Sequence, residues 1–575
     1  MNAYTYFKDT AITPAKAGLL ALLCFTWLAT GLIGHDPWKS DEAFSFGIVY
    51  HILQSGDWLV PTLAGEPYLD KPPFYYIVAA AFAKLFAPLL PLHDGARLAS
   101  GFFVGLTLIF TGLAGRELFG KDRGWAAAII LIGCLGMLVH AHLMSTDLGL
   151  LAGCAMLLYG YALSQRRHLL AGLLLGTGLG IGFMSKGFIA PILFVAISLS
   201  LLAFRNWRSR EYLISLGVAA LCALPWLGIW PALLYQRSPE LFMDWAWQHN
   251  IGNWLAYAKG GKYSEVFYYF NLLPWFAWPA LPLAAWGVWE ARKKILLERE
   301  GQLLLVSLLL MLFTLSFVPN IQDVFALPIL LPIVLLATMA LPSLRRGASN
   351  ALDRFGIITF GFIAILLWWG WAGLLIEGNN SRISRWLREY QSEFVPAFDV
   401  TSFVIALTVT LLWVLLVWRV GRSMRRSVIN WATGVTLLWV LAMTLWLPWL
   451  DFNKSYRSMV TSLAEALPQQ HGCIASRYLG DGQKAMLHYF GNILTKPGGE
   501  KKCELLLTQG NLSRSDQTQG GWKTLWTGGR KGQKGDRYYL YQRERTTAKV
   551  EPVQNTASTQ IVPRHVIPAQ TGIQQ

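Results

Sequence analysis

Charge is what this chain has least of. Asp, Glu, Lys and Arg make up 14% of its 575 residues, against about 25% in an ordinary soluble domain. Apolar residues reach 54%, and many apolar segments run for about 17–23 residues, which is long enough to cross about 30 Å of hydrocarbon. The composition excludes a soluble globular protein and predicts an all-α polytopic membrane protein surrounded by membrane lipids.

Acidic residues are scarcer than basic ones, with 33 Asp and Glu against 49 Lys and Arg, so the net charge is +16. We interpret the basic excess as the signal that keeps loops in the cytoplasm, with some attraction to anionic lipid or phosphate, and expect no nucleic-acid partner. Only Lys8 and Lys16 precede the apolar run 17–34. No small-residue cleavage site follows that run, which predicts an uncleaved first span.

Cysteine is also rare, and its positions fall into two groups. Cys473 and Cys503 lie in the polar C-terminal segment. They are a candidate disulfide pair if that segment faces an oxidising compartment, and two free thiols otherwise. The other four lie inside apolar runs and are expected to be packing residues: Cys24, Cys134, Cys154 and Cys222.

A further apolar stretch, Phe74–Leu92, is ambiguous, and the basic loops decide it. If it spanned the membrane, most basic loops would fall opposite the N-terminus. If it lies in the interface, they share the cytoplasmic side, as the positive-inside rule favours. The sequence then predicts about 13 spans, with the N-terminus inside the cell and the C-terminus outside. Candidate spans are 15–34, 97–116, 124–143, 148–163, 169–184, 188–204, 212–233, 266–288, 302–318, 323–341, 356–376, 401–419 and 430–449.

Hydropathy collapses after Asp451, which separates a transmembrane unit (1–450) from a small α/β domain (451–545). Two large outer segments, 35–95 and 234–265, belong to the first unit. The tail 546–575 is polar without a hydrophobic period and is expected to be disordered. In the C-terminal domain, short runs between Gly-rich turns predict strands at 473–476, 504–508, 522–526 and 537–542, with a helix at 480–490.

The segment from Lys39 to Pro73 concentrates ionisable groups beside the first span. A charge costs roughly 2.5–3.5 kcal/mol at the centre of a membrane helix, so such a cluster predicts a working surface. Carboxylates can take a proton from an acceptor hydroxyl, lysines can neutralise a phosphate, and aromatic rings can stack on a sugar or line a lipid groove. Candidates are Asp41, Glu42, Asp147, Lys71, Lys186 and His249, with Trp38, Trp58, Tyr68 and Trp254 as aromatic groups.

Each of these residues also has a structural interpretation. Carboxylates at a span end can simply solvate the interface, a lysine can snorkel, and Trp residues form the aromatic belt of many membrane proteins. Together they suit transfer of a group from a lipid-linked phosphate to an acceptor at the membrane surface.

An ordered series of motifs over residues 30–200 resembles the bacterial aminoarabinose transferase and protein O-mannosyltransferase superfamily. These are C-type glycosyltransferases that use polyprenyl-phosphate sugars, and the resemblance implies their fold. The series is Asp41-Glu42, Ser55–Pro61, Tyr68–Pro73, Ala96-Arg97, Gly115–Gly120, Asp147 and Ser185–Gly187.

The resemblance implies a role for each matching residue. Asp41 would be the catalytic carboxylate, Asp147 a second acidic residue of the same site, and Tyr68 would line the donor site. Lys71 would grip the lipid phosphate, with Lys186 as a further basic contact. Asp70 and His249 occupy the places of two zinc ligands, so a divalent metal such as zinc is a candidate cofactor, although Asp reaches one methylene less far than the family's Glu.

Two positions depart from the aminoarabinose transferases. Phe44 stands where they carry an Arg three residues after the catalytic Asp. Phe325, in the segment Pro319–Pro328, stands where they carry a Tyr. The loss of a cation and a phenol implies a different donor sugar or acceptor.

We therefore expect a monomeric, inverting glycosyltransferase of the bacterial inner membrane that uses undecaprenyl phosphate sugar on the periplasmic side. The acceptor would be lipid A or lipopolysaccharide core, or alternatively a protein Ser or Thr. The rival from another class is a transporter of lipid-linked sugars. A transporter would place its ionisable residues at mid-membrane, whereas here they gather at one face.

Overall fold

The structure is a computed structural model that describes residues 13–38, 41–252, 268–318, 321–376, 394–419, 426–513, 521–530 and 536–544. The predicted tail 546–575, Trp254, and residues 319–320 of the segment around Phe325 lie outside these ranges.

Helices dominate the described residues, and Pro, Gly and polar residues separate them. In the first part they are α1 (Pro14–Ala29), α2 (Asp41–Ser55), α3 (Phe74–Phe86), α4 (Leu92–Phe119), α5 (Gly124–Gly133), α6 (Leu135–His140), α7 (Asp147–Leu163), α8 (His168–Lys186), α9 (Ile189–Leu202), α10 (Arg210–Arg237) and α11 (Pro239–Met243), which runs into a π-helical stretch (Asp244–Ile251).

The second part begins after the undescribed residues 253–267. Its helices are α12 (Tyr268–Phe276), α13 (Ala280–Ala291), α14 (Arg299–Ser316), α15 (Leu327–Ala340, preceded by a 3-10 turn, Asp323–Ala326), α16 (Arg346–Leu375), α17 (Val400–Arg419), α18 (Arg426–Thr444), α19 (Leu447–Lys454), α20 (Arg457–Ala466) and α21 (Asp481–Gly491).

Eight helical segments of the described chain are long and apolar enough to cross a membrane. Five further apolar helices have only 10–17 residues, among them α3, so the count of about 13 spans and the interfacial placement of 74–92 stay predictions. The eight are Leu92–Phe119, His168–Lys186, Arg210–Arg237, Arg299–Ser316, Asp323–Ser343, Arg346–Leu375, Val400–Arg419 and Arg426–Thr444.

Two predicted spans are interrupted. The stretch 266–288 is split into α12 and α13 around Trp278-Pro279, because a proline has no amide hydrogen to continue the helical ladder. The stretch 124–143 is split at Cys134, where the backbone becomes extended. In both cases the sequence predicted the apolar run, and the break within it was missed.

Glycines let the central helices approach closely. A Cβ on Gly153 of α7 would lie 2.5 Å from the carbonyl oxygen of Gly178 of α8. Small residues allow this backbone contact, which is a common source of packing energy between membrane helices. The α7–α8 contact fixes the two helices that carry Asp147 and Lys186 at their ends.

The strands of the C-terminal segment are β3 (Ile474–Arg477), β4 (Thr495–Pro497), β5 (Leu505–Gln509), β6 (Trp522–Gly529) and β7 (Arg537–Arg543). They form a five-stranded mixed sheet of order β4-β3-β5-β7-β6. β3 pairs in parallel with β4 and β5, and β7 pairs antiparallel with β5 and β6. The strands at 473–476, 504–508, 522–526 and 537–542 and the helix at 480–490 are confirmed to within a few residues; β4 was missed because Thr495–Pro497 is short and polar. Two further short strands, β1 (Thr62–Leu63) and β2 (Glu66–Pro67), form a hairpin after α2.

The two parts of the molecule meet along α2. A Cβ on Gly47 of α2 would lie 2.4 Å from the Cβ of Ala485 of α21, so these helices touch where neither has a large side chain. Around this point the rings of Phe46 and Tyr50 pack edge-on against Tyr489 of α21, at 4.7 and 5.0 Å. The helix that starts with Asp41 is thus packed between the membrane helices and α21 of the C-terminal segment.

Candidate active site

The two members of the acidic pair at the start of α2 have different surroundings. Asp41 is exposed, whereas Glu42 is 1% exposed. Glu42 Oε1 accepts a 2.6 Å hydrogen bond from Arg97 Nε, and its Oε2 accepts one of 2.9 Å from the Trp38 amide. Both Glu42 oxygens are therefore engaged in holding the chain, which leaves Asp41 as the member of the pair that faces outward.

Arg97 organises the loop that precedes α2 and is itself fully buried. Besides Glu42, its guanidinium contacts Asp94 at 2.7 Å. It also donates to the carbonyls of Leu32 and His35, at 3.1 and 3.0 Å. A guanidinium offers five donors in a rigid fork, and with a further bond to the Asp36 carbonyl at 3.4 Å this side chain makes five hydrogen bonds to the residues around α2.

The same loop is held from the C-terminal side. Asp36 accepts hydrogen bonds from Ser455 at 2.6 Å and from Arg457 Nε at 2.9 Å, with a second guanidinium nitrogen on its other oxygen. Burial favours a higher pKa for Asp36, but the hydrogen bonds from Arg457 and Ser455 outweigh it and lower the pKa. Asp451 accepts from the Trp38 indole at 2.8 Å and from the Asp36 amide at 3.0 Å.

Lys71 and Tyr68 lie against the side chain of Phe44, which is one helical turn after Asp41 in α2. The Lys71 ammonium is 5.5 Å from the centre of the Phe44 ring, and the Tyr68 ring is 5.7 Å from it. Asp70 lies 3.8 Å from Lys71, beyond hydrogen-bond distance, so among the described residues no side chain occupies the ammonium's donors. Burial raises the pKa of Tyr68, so the phenol is neutral and can donate a hydrogen bond.

Asp147 and Lys186 form a buried ion pair at the ends of α7 and α8. The Lys186 ammonium lies 2.7 and 2.8 Å from the two Asp147 oxygens, and the side chains are 6% and 4% exposed. The face of Phe325 lies 3.9 Å from the same ammonium. The Lys186 ammonium thus has both a close carboxylate partner and an aromatic face beside it. Lys71 differs, because its carboxylate neighbour Asp70 lies 3.8 Å away.

These groups come from separate segments but share one electrostatic neighbourhood. Lys71 is within electrostatic range of Asp147 and of Lys186. Tyr68 is within range of Asp41 and Asp70. The structure therefore brings together the predicted carboxylates, lysines and tyrosine at one end of the helices.

His140, at the end of α6, was missed by the sequence reasoning. It lies within electrostatic range of three carboxylates, those of Asp323, Asp147 and Asp41. The Tyr268 hydroxyl donates to Asp323. Two histidines, His140 and His142, at the end of an apolar stretch were the available signal in the sequence, but only the fold places His140 within electrostatic range of Asp41.

Hydroxyl groups without hydrogen-bond partners surround the ion pair. Tyr76 and Tyr269, both fully buried, are within electrostatic range of Asp147, and neither hydroxyl has a partner among the described protein atoms. The same holds for Thr146 and Ser185, the immediate neighbours of Asp147 and Lys186. Buried polar atoms are nearly always satisfied in proteins, so these hydroxyls are the groups beside the ion pair with hydrogen-bonding capacity to offer a polar partner.

Asp70 and His249, the predicted metal pair, are close to each other but poorly arranged for zinc. Asp70 lies 4.0 Å from His249 Nδ1, whereas Asp244 lies 3.5 Å from Nε2, on the opposite side of the ring. One ion cannot contact both ring nitrogens, and zinc sites need three or four protein ligands. The described part of the chain holds no group of three potential ligands, so zinc stays a prediction and no chemistry is derived from it.

Trp58 lies at the surface, with 38% of its area exposed. Its turn is held by Asp57, which accepts the Leu59 amide at 3.0 Å, and the Leu59 carbonyl accepts the Trp230 indole at 2.9 Å. A donor-lining role for Trp58 stays a prediction.

Comparisons with known proteins agree on one group. Residues 70–230 match the family model described as dolichyl-phosphate-mannose-protein mannosyltransferase. The undecaprenyl phosphate-alpha-4-amino-4-deoxy-L-arabinose arabinosyl transferase of Pseudomonas aeruginosa (strain UCBPP-PA14) is 28% identical over 354 residues, which are 58% of this chain and 61% of that relative. A Pseudomonas fluorescens (strain Pf0-1) enzyme of the same description is 28% identical over 55% of this chain and 56% of its own length.

The crystal structure of ArnT from Cupriavidus metallidurans bound to undecaprenyl phosphate superimposes with a TM-score of 0.66 at 17% identity, covering 92% of this chain and 98% of that one. Together with the apolar helices, this match defines a multi-pass membrane protein with the C-type glycosyltransferase fold. In sequence and in fold the chain is thus similar to the aminoarabinose transferase and protein O-mannosyltransferase superfamily. The sequence match spans about three fifths of the first of these relatives.

Proposed function

We propose that this chain is an inverting glycosyltransferase of the bacterial inner membrane. It transfers a sugar from undecaprenyl phosphate to an acceptor on the periplasmic side, which is lipid A or lipopolysaccharide core. The observation that carries the proposal is the convergence of an exposed carboxylate, Asp41, with a lysine that has open hydrogen-bonding capacity, Lys71, beside the buried Asp147–Lys186 pair. The names of the relatives support the class of donor.

The chemistry needs one base and one cation. The acceptor hydroxyl gives its proton to Asp41 while its oxygen forms a bond to the anomeric carbon of the sugar. The bond from that carbon to the phosphate oxygen breaks, and the electron pair leaves with undecaprenyl phosphate. Lys71 stabilises the charge that develops there, so the leaving group needs no proton. A single displacement inverts the anomeric centre.

The remaining groups have supporting roles in this proposal. Asp147 and Lys186 form a rigid polar wall, and the neutral Tyr68 phenol donates to the phosphate or the sugar. The surrounding buried hydroxyls, those of Tyr76 and Tyr269 among them, suit the hydroxyl groups of a sugar ring. The chain acts as a monomer, with its N-terminus in the cytoplasm and its C-terminal sheet in the periplasm.

Two phenylalanines suggest a donor sugar other than aminoarabinose. Phe44 and Phe325 each present a ring to one of the two lysines, at 5.5 Å from Lys71 and 3.9 Å from Lys186. An aromatic face attracts a cation but cannot hydrogen-bond a phosphate or a sugar. The site therefore offers fewer donors than one that carries Arg and Tyr at these places.

A protein acceptor is the second candidate, because the family model that matches residues 70–230 is named for protein mannosyltransferases. With a protein acceptor the sugar would be found on envelope proteins and not on lipopolysaccharide, so the experiment described next distinguishes the two acceptors.

The test is mass spectrometry of lipopolysaccharide from cells that lack the protein and from cells complemented with wild type, Asp41→Asn or Glu66→Gln. Glu66, exposed on β2 in the same outer segment, is the matched control. We expect a single sugar mass to disappear in the deletion strain and to return with wild type and Glu66→Gln only. Sugar on envelope proteins instead would identify the protein acceptor. Near-normal transfer by Asp41→Asn would exclude the proposed base.

A companion assay measures release of undecaprenyl phosphate by purified protein from undecaprenyl phosphate-4-amino-4-deoxy-L-arabinose and undecaprenyl phosphate mannose. A transporter would move the donor intact and release nothing. Lys71→Ala should raise the KM for the donor and lower turnover, and if both are unchanged, Lys71 does not hold the phosphate.

A further inference from the structure

The loop of residues 31–38 lies just before α2, with two residues between it and Asp41 in the sequence, and it is held from two sides. On the membrane side, Arg97 binds its carbonyls and Glu42 binds the amide of Trp38. On the other side, the contacts come from residues 451–457, which connect the last span to the C-terminal sheet.

We propose that residues 451–457 act as a clamp that positions Asp41, so that the C-terminal domain is required for turnover rather than for donor binding. The proposal rests on the proposed function, in which Asp41 is the base. The clamp is defined as Asp451, Ser455 and Arg457 together with their partners in the loop, Asp36 and Trp38.

The geometry of the clamp is specific. Arg457 contacts both oxygens of Asp36, a two-point contact that fixes orientation as well as distance. Ser455 adds a third hydrogen bond to the same carboxylate. Asp451 holds both the backbone of Asp36 and the indole of Trp38, at 3.0 and 2.8 Å.

From Trp38 the effect reaches α2 within one turn. The Trp38 carbonyl accepts the Ala43 amide at 3.0 Å, and the Trp38 amide donates to Glu42. Trp38 is also packed between the His35 ring, at 4.1 Å, and the Lys454 ammonium, at 4.4 Å from its ring centre. A displacement of the clamp therefore moves the first turn of α2, where Asp41 lies.

The proposed donor-binding lysines make none of the clamp's hydrogen bonds, and Lys71 meets the first turn of α2 through the Phe44 ring, at 5.5 Å. Lys71 and the Asp147–Lys186 pair are carried by the segment before α3 and by α7 and α8. Loss of the clamp should thus lower kcat and leave the KM for the donor nearly unchanged. Displacing a catalytic base by about 1 Å can lower the reaction rate by up to about a hundredfold.

The test compares Arg457→Gln with Arg477→Gln. Arg477 makes the same kind of two-point contact, with Glu500, inside the C-terminal sheet. We expect Arg457→Gln to lower kcat about tenfold to a hundredfold, with the donor KM within about twofold, and Arg457→Lys, which keeps the charge, to fall between it and wild type. Arg477→Gln should have wild-type kcat.

Hydrogen–deuterium exchange of the full-length protein provides a readout independent of activity. Arg457→Gln should speed exchange at residues 31–38 and 41–46, and Arg477→Gln should not. Unchanged exchange in these residues, or an unchanged kcat in a variant that exchanges faster, overturns the clamp. If wild type transfers no sugar at all, the proposed function fails, and the exchange result alone decides whether Arg457 holds the loop.

Discussion

Lys71 and Lys186 face the same carboxylates but differ in what holds them. Lys186 is locked to Asp147, whereas Lys71 is 18% exposed with Asp70 at 3.8 Å. In a buried ion pair, each charge depends on the other, because neither can be solvated alone. The two lysines are therefore expected to respond differently to substitution.

Lys186→Met should destabilise the folded protein by about 3–5 kcal/mol, because it leaves the Asp147 carboxylate buried without its cation. Asp147→Asn combined with Lys186→Met should recover much of that loss. The measurement is thermal unfolding in detergent. Lys484→Met, which breaks the more exposed 3.5 Å pair with Asp481, should cost less than about 1 kcal/mol. An equal loss for the two lysines would contradict the structural role of Lys186.

Asp451 predicts a pH dependence of stability. Burial, together with the nearby Asp36 carboxylate, raises its pKa from 3.8 to about 6. The folded state thus binds the proton more tightly than the unfolded state, and the ionised carboxylate destabilises the fold once the pH rises through about 4 to 6. Arg97 and Arg457 also face it and limit the effect.

Asp451→Asn keeps the oxygen that accepts from Trp38 and removes the charge. At pH 8 it should raise the unfolding temperature, with a gain in the free energy of unfolding of no more than about 3 kcal/mol. Near pH 4 the unfolding temperature should be unchanged. A gain of the same size at both pH values would mean that the carboxylate is not the cause.

At the scale of elements, the contact between α2 and α21 depends on a missing side chain. The Cβ of an alanine at Gly47 would lie 2.7 Å from Leu63 and 3.3 Å from the backbone of Ala485, as well as 2.4 Å from the Ala485 Cβ. Backbone atoms cannot move aside as a flexible side chain can. The helix gains up to about 1 kcal/mol from alanine in place of glycine, but the forced separation costs about 1–3 kcal/mol.

Gly47→Ala should therefore lower the unfolding temperature and speed amide exchange in α21. The matched control is Gly217→Ala in α10, where an added Cβ meets nothing within 4 Å. That variant should be neutral or slightly stabilising. If Gly47→Ala behaves like the control, the two helices are not in contact at this point.

The sequence predicted most elements because each depends on local pattern. Apolar runs gave the helices, and short β-prone runs between glycines gave β3, β5, β6 and β7. The breaks at Cys134 and around Pro279 were missed, because an uninterrupted apolar run predicts one continuous helix whether or not the backbone bends within it.

The site was predictable only in part. Asp41, Lys71, Asp147 and Lys186 lay in recognisable motifs, but which of them pair depends on contacts across 39 residues or more. Arg97 was visible in the motif series without a role, because its partners Leu32 and Glu42 lie 65 and 55 residues away. No local pattern indicates such a contact.

At the scale of the whole molecule, one covalent link closes the C-terminal sheet. The structure joins Cys473 and Cys503 in a disulfide, 30 residues apart, as the sequence suggested for an oxidising compartment. It connects the start of β3 to the segment before β5, its parallel neighbour. Closing a loop of this length contributes about 3–4 kcal/mol in the chain-entropy account.

Replacing both cysteines by serine should reduce protection against amide exchange in β3, β5 and α21, and leave α7 and α8 unchanged. The measurement is exchange on the full-length protein in detergent, with wild type in reducing buffer as a second test. Equal protection of the sheet in both proteins would show that its strand pairing alone is sufficient. Loss of protection in α7 and α8 would show that the sheet and the membrane helices unfold together.

The clamp has a consequence for how the protein is made. Trp38 and Asp451 touch but are separated by 413 residues, so the loop that carries Asp41 leaves the ribosome long before its partner is synthesised. At roughly 5–20 residues per second, the interval is on the order of 20–80 s. During that time most of the apolar helices are synthesised while this loop has its partners Arg97 and Glu42 but not its partners in residues 451–457. The loop before Asp41 is thus encoded early but gains its contacts with residues 451–457 last, so under the proposed function a chain that ends before Asp451 should transfer no sugar.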